Sequence, residues 1–373
     1  MRVLQVVSDL DKSNGITNVL MRYFRYLYPN DIEFDFLCFN CQSDDKEKNF
    51  FKDEILKLGG RVFYISSPTK FILFYKNWQK FCKIHYQEYD ILENNLTFLG
   101  FYFRNAKKCL GVKKIITHSH VTKFGDSKFT NIRNRLFWTI TGKTLGDILF
   151  SCSKEAGQSV FGRKCEILPW YVINNAFEIK EYRFDAQVRK NIRNKMKWRG
   201  QYIIGHVGRF TNKKNHKFIV EVFNKFHKLH PSSRLILIGI GPLKKDIVEM
   251  VNQMKLNDYV TFLENRSDIN DLLQGFDCFI FPSFFEGLGV ALVEAQVSGL
   301  NCIVSNNVPS EANITDYTSL DLNVGVQKWV EALESAQSKK RISNGYKKAQ
   351  NNGFDINEEA NKLEKIYKRI INF

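Results

Sequence analysis

The chain has no long apolar run. No part of its 373 residues approaches the ~20 consecutive apolar residues that a membrane-spanning helix needs. No signal peptide precedes the first strand-like segment, residues 3–7, so we expect the protein to stay in the cytoplasm. Cysteines in that compartment are expected to be reduced and buried. Cys38 and Cys41 form one C-x-x-C pair, but no second pair completes a zinc site.

The signatures of several functional classes are also absent. Without a zinc finger, an RNA-recognition motif or a recognition helix, nucleic acid is the weakest candidate partner for the formal charge of +16. No G-x-S-x-G sequence supports hydrolase chemistry. Three explanations of the positive charge remain: binding to an anionic membrane face, binding of a phosphate-rich substrate, or an ordinary solvated surface. Basic residues crowd the first half of the chain: Lys107, Lys108, Lys113, Lys114, Lys123, Lys128, Arg133, Arg135 and Lys143.

Short apolar runs alternate with amphipathic stretches, a pattern typical of parallel α/β domains. A break rich in Lys, Arg and Asn near residues 170–200 divides the pattern in two, so we predict two doubly wound domains in tandem. Ligands of such sheets bind beyond the carboxyl ends of the strands, which predicts an active site in the cleft between the domains. We predict strands at residues 3–7, 34–39, 62–65, 90–93, 114–117, 148–151, 202–208, 235–238, 260–263, 278–281 and 301–304.

The most informative segment is residues 281–295, which runs from a buried strand through a glycine-bearing turn into a helix. Glu286 lies in the predicted turn and Glu294 about two turns into the predicted helix. A helix N-terminus is a usual seat for a phosphate, which a carboxylate would repel unless it reached past the phosphate to hydroxyl groups. A nucleotide-sugar offers both chemistries, with hydroxyls on either side of its diphosphate.

A second motif follows the predicted strand at residues 202–208 and opens a helix. It places Arg209 and Lys214 where cations would stabilise the charge that develops on a diphosphate leaving group. With the E-x7-E spacing of Glu286 and Glu294, the motif resembles the retaining glycosyltransferases of family 4, which have the GT-B fold. The resemblance extends over nearly the whole chain and is strongest from residue 208 to 309.

The resemblance implies two Rossmann-like domains that face a cleft, with a C-terminal helix that crosses back to the first domain. Residues 1–175, with about 354–373, would bind the acceptor, and residues 176–353 the nucleotide-sugar donor. Glu294 would bind the ribose hydroxyls, Glu286 would face the donor sugar, and backbone groups near the end of the strand at 260–263 would read the base. The implied donor-binding residues are Gly15, Arg209, Lys214, Leu263, Arg266, Glu286, Gly287, Leu288, Gly289 and Glu294.

Two histidines end the predicted strand at residues 114–117. His118 and His120 are two residues apart and therefore share a face of an extended strand. The resemblance places a histidine here beside the reacting groups, so His120, His118 and Glu286 are the candidate catalytic residues, with His120 preferred of the two histidines. A buried structural histidine and a His-x-His metal site are the alternatives, although no third ligand accompanies the pair.

No metal or other cofactor is implied. Asp9 and Asp11 form a D-x-D sequence, but the resembled family uses that loop for the donor without a metal. The residues around Gly239 and Gly241 lack the third glycine of a dinucleotide fingerprint, because Lys244 stands in its place. We interpret that segment as a strand-to-helix turn that borders the donor pocket.

The resemblance implies transfer of a sugar, from a UDP-sugar by preference, to a hydroxyl of a saccharide acceptor in cell-surface polysaccharide synthesis such as that of capsule or exopolysaccharide. The acceptor would be a free saccharide or one linked to undecaprenyl diphosphate, and the basic first domain would suit peripheral docking on the inner face of the cell membrane. Residues 71–78 are a candidate membrane-facing patch or an ordinary core helix. A sugar-nucleotide epimerase of the same fold, and a non-catalytic partner subunit or basic binding protein, remain as alternative functions.

Overall fold

The computed structural model describes residues 1–12, 14–39, 44–46, 48–121, 128–140, 145–264 and 266–372, with residues 128–131 described in backbone only. Cys41, Lys123 and Lys143, which the sequence analysis named, lie outside the described residues. The chain divides into two compact units. The first domain comprises Met1–Phe177 and Asp355–Phe373, and the second comprises Glu178–Phe354.

Each domain contains one parallel sheet with the strand order of a Rossmann-like fold. The order is β3-β2-β1-β4-β5-β6-β7 in the first domain and β10-β9-β8-β11-β12-β13 in the second. The strands are β1 (Arg2–Val7), β2 (Glu33–Cys38), β3 (Val62–Tyr64), β4 (Ile91–Asn94), β5 (Lys114–Ser119), β6 (Ile148–Ser151), β7 (Trp170–Val172), β8 (Tyr202–Val207), β9 (Ser233–Ile238), β10 (Val260–Leu263), β11 (Cys278–Phe281), β12 (Asn301–Ser305) and β13 (Thr318–Leu320).

The strands are connected mainly by helices, as parallel pairing requires. The described α-helices are α1 (Gly15–Leu27), α2 (Lys52–Lys57), α3 (Phe71–Ile84), α4 (Gly100–Phe103), α5 (Ala106–Cys109), α6 (Lys128–Ile140), α7 (Lys154–Phe161), α8 (Lys164–Ile167), α9 (Ala186–Lys195), α10 (His216–Leu229), α11 (Lys244–Gln253), α12 (Ile269–Gly275), α13 (Val290–Val297), α14 (Val326–Gln337), α15 (Gly345–Asn351) and α16 (Ile356–Ile371). Among the described residues, none of these helices combines the length and apolar character that a bilayer span requires.

The predicted fold class is confirmed, including the return of the C-terminal helix to the first domain. Helix α16 begins after Asp355, whose carboxylate accepts a hydrogen bond from the backbone N–H of Asn357. Its apolar face, which includes Leu363 and Tyr367, belongs to the same core cluster as Phe24 of α1. Because α16 is strongly amphipathic, burial of this face against the first domain stabilises it despite the distance in sequence.

Strands β7 and β13 and helix α9 were not predicted from the sequence. Strands β7 and β13 have three residues each at the edges of the sheets, and β7 lies at the start of the segment interpreted as a break. The segment interpreted as a polar break contains α9, capped by the Asp185 carboxylate. Arg189 and Arg193 of α9 both pair with Asp277. Ion pairs and hydrogen bonds, together with the buried Ile192, therefore attach this helix to the second domain.

Candidate active site

The candidate donor site lies where the strand order of the second sheet reverses. Strands β8 and β11 are neighbours there, and the loops after them, residues 208–215 and 282–289, follow their carboxyl ends. The Phe284 backbone N–H donates to the Lys213 carbonyl at 2.9 Å, and the Asn215 side-chain amide donates to the Pro282 carbonyl at 3.3 Å. The two predicted motifs are therefore in direct contact at the position where this type of sheet binds ligands.

A buried ion-pair cluster joins the two loops. Lys214 Nζ donates to Glu286 Oε1 at 2.7 Å, and Lys213 Nζ lies 3.2 Å from Glu286 Oε2. The Glu286 side chain is 4% exposed and that of Lys214 is 15% exposed. The Lys214 ammonium also lies 4.6 Å from the centre of the Phe281 ring, within cation–π range. The structure thus brings together Lys214 and Glu286, which are 72 residues apart in sequence.

The electrostatics of the pair follow from burial and charge. Burial lowers the pKa of Lys214 below its ordinary value, and the Glu286 carboxylate only partly offsets this effect. Burial by itself raises the pKa of Glu286, but Lys214 and Lys213 outweigh it and leave the pKa below its ordinary value. Glu286 is therefore ionised at neutral pH and acts as the counter-ion of a buried lysine.

Glycines allow the loops of neighbouring strands to approach closely. A Cβ atom on Gly239 would overlap the Gly208 carbonyl oxygen, and one on Gly241 would overlap the Phe210 carbonyl oxygen. Their φ angles of +151° and +154° also disfavour other residues. The turn that we interpreted as bordering the donor pocket is therefore packed directly against the loop that contains Arg209.

Helix α13 begins at Val290, and Gly289 precedes it with a left-handed φ of +90°. Glu294 is the fifth residue of α13, so it lies just over one turn into the helix. The expectation of about two turns was wrong, because the glycine-bearing turn extends further along the chain than the sequence suggested. Glu294 is 6% exposed and Leu288 is 3% exposed. Both members of the E-x7-E spacing are therefore buried beside a helix N-terminus.

The remaining donor-domain residues differ in how they are held. Arg209 is exposed, and no described residue forms a hydrogen bond or ion pair with its side chain. Arg266 is committed to Asp268 through a two-point contact of 2.7 Å and 2.5 Å. The Leu263 carbonyl accepts a hydrogen bond from the Gly239 backbone N–H. Of these residues, Arg209 is the one whose side-chain N–H groups donate to no described residue.

Two buried histidines beneath the same loop were missed by the sequence analysis. His206 on β8 has its Nδ1 atom 2.8 Å from the Ile280 carbonyl, and its ring is 4.8 Å from that of His216. Burial lowers the pKa of His206 to about 3 and that of His216 to about 2, so both are neutral. The only sequence signal was a histidine in an apolar strand, because its contact with α10 is tertiary.

In the first domain, His118 is on β5 and His120 follows it, and both side chains are buried. Their ring centres are 3.9 Å apart. His118 Nδ1 lies 2.7 Å from Glu93 Oε1, and His120 Nε2 lies 2.9 Å from Asn95 Oδ1. Both histidines therefore share one polar cluster, and the residues that orient them, Glu93 and Asn95, were not identified from the sequence.

The loop after β1 is held by its own side chains. Asp9 Oδ1 accepts from the Asn14 amide at 2.9 Å and from the Asp11 backbone N–H at 3.3 Å. Gly15 opens α1 in an exposed position, and a Cβ atom there would meet nothing within 4 Å. The hydrogen bonds of Asp9 therefore give it a structural role in this loop, and the space beside Gly15 is open. Among the described residues, no group of three His, Cys, Asp or Glu side chains could hold a metal ion.

Comparison with known proteins finds similarity to glycosyltransferases, in one family model over part of the chain and in individual relatives over most of it. Residues 188–351 match the family described as "Glycosyl transferases group 1". The chain is 28% identical to EpsF of Bacillus subtilis (strain 168), a protein named for a glycosyltransferase activity, over 98% of this chain and 96% of that protein. It is 24% identical to the UDP-Gal:alpha-D-GlcNAc-diphosphoundecaprenol alpha-1,3-galactosyltransferase of Escherichia coli, over 95% and 93% of the two chains.

Further similarity is to a capsule enzyme and to a solved structure. The chain is 26% identical to the capsular polysaccharide biosynthesis glycosyltransferase CapH of Staphylococcus aureus, over 84% of this chain and 86% of that protein. The crystal structure of Anabaena HepE in complex with UDP and glucose superposes with a TM-score of 0.77 at 15% identity, covering 99% of each chain. At that identity the superposition shows the fold alone, which is GT-B.

Proposed function

We propose that this chain, whose residues 188–351 match the glycosyl transferases group 1 family, is a retaining glycosyltransferase that moves a sugar from a UDP-sugar to a saccharide hydroxyl. The observation that carries the proposal is the buried Lys214–Glu286 pair, which lies between two loops at the switch point of the second sheet. An ion pair with no role in ligand binding would not have to be buried or to lie at the switch point of the sheet. Similarity over nearly the whole chain to glycosyltransferases of polysaccharide synthesis supports the same function.

The site residues suggest a division of labour in the second domain. Lys214 and the exposed Arg209 would hold the diphosphate with backbone N–H groups of the turn before α13. Glu294 would bind the ribose hydroxyls and Glu286 a hydroxyl of the donor sugar, while Glu286 also keeps Lys214 charged. As the bond from the anomeric carbon to the phosphate oxygen breaks, the acceptor oxygen bonds to the same face of that carbon. The acceptor proton passes to the departing phosphate oxygen.

The donor and acceptor classes are inferred from the relatives' names. The Escherichia coli relative is named for a UDP-sugar donor and a diphosphoundecaprenol-linked acceptor, and Anabaena HepE was solved with UDP. We accordingly propose a UDP-sugar donor and a lipid-linked saccharide acceptor in the synthesis of a capsule or exopolysaccharide. No metal ion is required in this proposal, because Lys214 and Arg209 would supply the positive charge that the leaving diphosphate needs.

We further propose peripheral docking on the cytoplasmic membrane face. Helix α3 buries Phe74 and Trp78 in the core, as the core-helix interpretation of residues 71–78 required. It exposes Phe71, Ile72 and Leu73 at 52%, 71% and 47% of their surface. These three neighbouring apolar side chains form an exposed patch beside Lys70 and Lys76, a combination suited to an anionic bilayer surface.

The first experiment is a thermal-shift screen with UDP, GDP, ADP and CMP. A nucleotide at about 100 times its dissociation constant should stabilise the domain by roughly 2.7 kcal/mol. We expect a shift with UDP that Lys214→Met and Glu294→Gln abolish. Lys328→Met is the matched control, because Lys328 also pairs with a glutamate at 2.8 Å but lies on α14. If none of the four nucleotides raises the melting temperature, the proposed donor site is refuted.

A second experiment tests the reaction. UDP release from UDP-sugars should depend on a synthetic polyprenyl-diphosphate saccharide and should persist in EDTA. The product should have the anomeric configuration of the donor by NMR. Release without acceptor together with donor isomerisation would instead identify an epimerase, and an inverted product would refute retention.

A further inference from the structure

A buried carboxylate in the first domain is bonded on both of its oxygens. Glu93 on β4 is 1% exposed. Its Oε1 atom lies 2.7 Å from His118 Nδ1, and its Oε2 atom accepts hydrogen bonds from the Tyr367 hydroxyl and from the Gln5 amide at 3.2 Å. Gln5 and Glu93 are paired in register across β1 and β4. Three donors from two strands and the last helix therefore converge on one side chain.

The hydrogen bonds that run from this carboxylate to His120 have a fixed direction. Asn95 Nδ2 lies 3.3 Å from the Glu93 backbone carbonyl, which can only accept, so this atom must be the amide nitrogen. It also lies 2.7 Å from Gln5 Oε1, which leaves the Gln5 nitrogen to face the Glu93 carboxylate. Asn95 Oδ1 must then accept from His120 Nε2.

The network therefore determines the tautomers of both rings. His118 has its proton on Nδ1, because that atom faces a carboxylate whose other oxygen already accepts from two donors. His120 has its proton on Nε2, because that atom faces an amide oxygen. The other ring nitrogens, His118 Nε2 and His120 Nδ1, are buried and have no hydrogen-bond partner among the described residues. Burial and the neighbouring His118 lower the pKa of His120 well below its ordinary value, so its bare nitrogen stays unprotonated.

We propose that Glu93 is a positioning residue that sets both tautomers, directly for His118 and through Gln5 and Asn95 for His120. Each histidine then keeps a bare ring nitrogen in the form that accepts a hydrogen bond, and we assign a sugar hydroxyl of the bound substrate as its donor. The assignment of sugar hydroxyls rests on the proposed function, whereas the tautomers rest only on the hydrogen bonds of Glu93, Gln5 and Asn95. Neither ring could accept through those atoms in the opposite tautomer.

The last helix takes part in this arrangement. Tyr367 lies near the end of α16 and is buried in the core cluster that α16 shares with α1. Its hydroxyl is one of two donors on Glu93 Oε2, so it restricts rotation of the carboxylate and aims Oε1 at His118. The return of α16 to the first domain thereby contributes a side chain that orients the residues at the end of β5.

The direct test is histidine tautomer determination by long-range ¹H–¹⁵N NMR on the ligand-free full-length protein labelled in its seven histidines. We expect the Nδ1–H form of His118 and the Nε2–H form of His120. In Glu93→Gln, the two donors beside Oε2 favour the new amide nitrogen on the His118 side, which should move the His118 proton to Nε2. Wild-type protein with His118 protonated on Nε2, or Glu93→Gln with unchanged tautomers, would overturn the proposal.

Two further variants keep the proposal testable should Glu93→Gln fail to fold. Asn95→Ala should release the His120 tautomer and leave that of His118 unchanged, and a coupled change in both rings would contradict the relay. Tyr367→Phe should lower kcat while KM for the donor stays constant. Tyr23→Phe is its matched control, because Tyr23 is also a buried tyrosine packed at α16 but donates to the Asn174 carbonyl.

The kinetic prediction is separate from the spectroscopic one. Loss of the group that orients a metal-bound histidine typically costs about 10- to 100-fold in activity, and we expect a loss of similar size in kcat for Glu93→Gln. A protein without transferase activity that shows the expected tautomers would refute the proposed function but not the role of Glu93. An active Glu93→Gln enzyme with normal kcat would refute the positioning role alone.

Discussion

Replacing Glu286 by Gln should destabilise the second domain through Lys214. The substitution preserves size but removes the counter-ion 2.7 Å from a lysine whose side chain is only 15% exposed. Breaking a buried pair from one side typically costs roughly 3–5 kcal/mol, and we expect the lower end, about 3 kcal/mol, because Lys214 retains some contact with water. Lys214→Met should cost less, about 2 kcal/mol, because Lys213 still lies 3.2 Å from Glu286.

The double variant Glu286→Gln/Lys214→Met tests whether the destabilisation by Glu286→Gln comes from leaving the charge of Lys214 unpaired. With both charges gone, only Lys213, which is more exposed than Lys214, loses its partner, so the cost of the double variant should be about 2 kcal/mol below the sum of the single costs. The assay is urea titration with hydrogen exchange of peptides from β8 and β11, which reports on the second domain by itself. Glu264→Gln is the matched control: Glu264 pairs with Lys244 but is 46% exposed, so its cost should stay below about 1 kcal/mol.

Acid adds a second measurement of the same pair. Because the folded pKa of Glu286 is depressed, its contribution is present above the unfolded carboxyl pKa of about 4.3 and is lost as pH falls through the folded pKa. The stability difference between wild type and Glu286→Gln should therefore narrow below about pH 4. The counter-ion explanation would be refuted if the stability costs of Glu286→Gln and Lys214→Met simply added in the double variant. It would also be refuted if the stability difference between wild type and Glu286→Gln did not change with pH.

Three further outcomes follow from the described contacts. Gly239→Ala should destabilise the second domain, because its Cβ would overlap the Gly208 carbonyl, whereas Gly15→Ala, with open space around it, should leave stability unchanged in the same thermal melt. Arg209→Ala should weaken UDP binding in calorimetry without changing the melting temperature of the free protein, because the side chain is exposed and lacks a described partner; a lowered melting temperature would count against a purely ligand-binding role. Ile72→Glu, at a side chain 71% exposed, should reduce cosedimentation with anionic vesicles and leave UDP binding intact, and unchanged cosedimentation would refute the membrane patch.

Much of the fold was predictable because parallel strands buried on both faces are recorded locally as apolar runs. The predicted strand at residues 148–151 coincides with β6, and the one at 278–281 with β11, and all residues of both strands are buried. The three-residue edge strand β3 was predicted, whereas β7 was missed because it lies in the segment interpreted as a break, and β13 because two of its three residues are polar. Helix α9 was missed for a different reason: its arginines bind Asp277, which is distant in sequence.

The candidate site also has a part that could be predicted from the sequence and a part that could not. The positions of Arg209, Lys214 and Glu286 after strands could be predicted from the sequence, because the spacing of each motif reflects a strand-to-helix turn, which is a local feature. Their contact could not, because it depends on β8 and β11 being neighbours in the sheet. The sequence likewise placed His118 and His120 at a strand end but contained no sign of Glu93 as their partner.

The sequence by itself determined the two domains, most of their strands and the residue types at the loops, because hydrophobic periodicity and turn chemistry are local properties. The tertiary structure decided which ions are buried together and which nitrogen of each histidine carries its proton. Those properties depend on hydrogen bonds and charges between segments up to 274 residues apart, as between Glu93 and Tyr367, and no local pattern encodes such pairs.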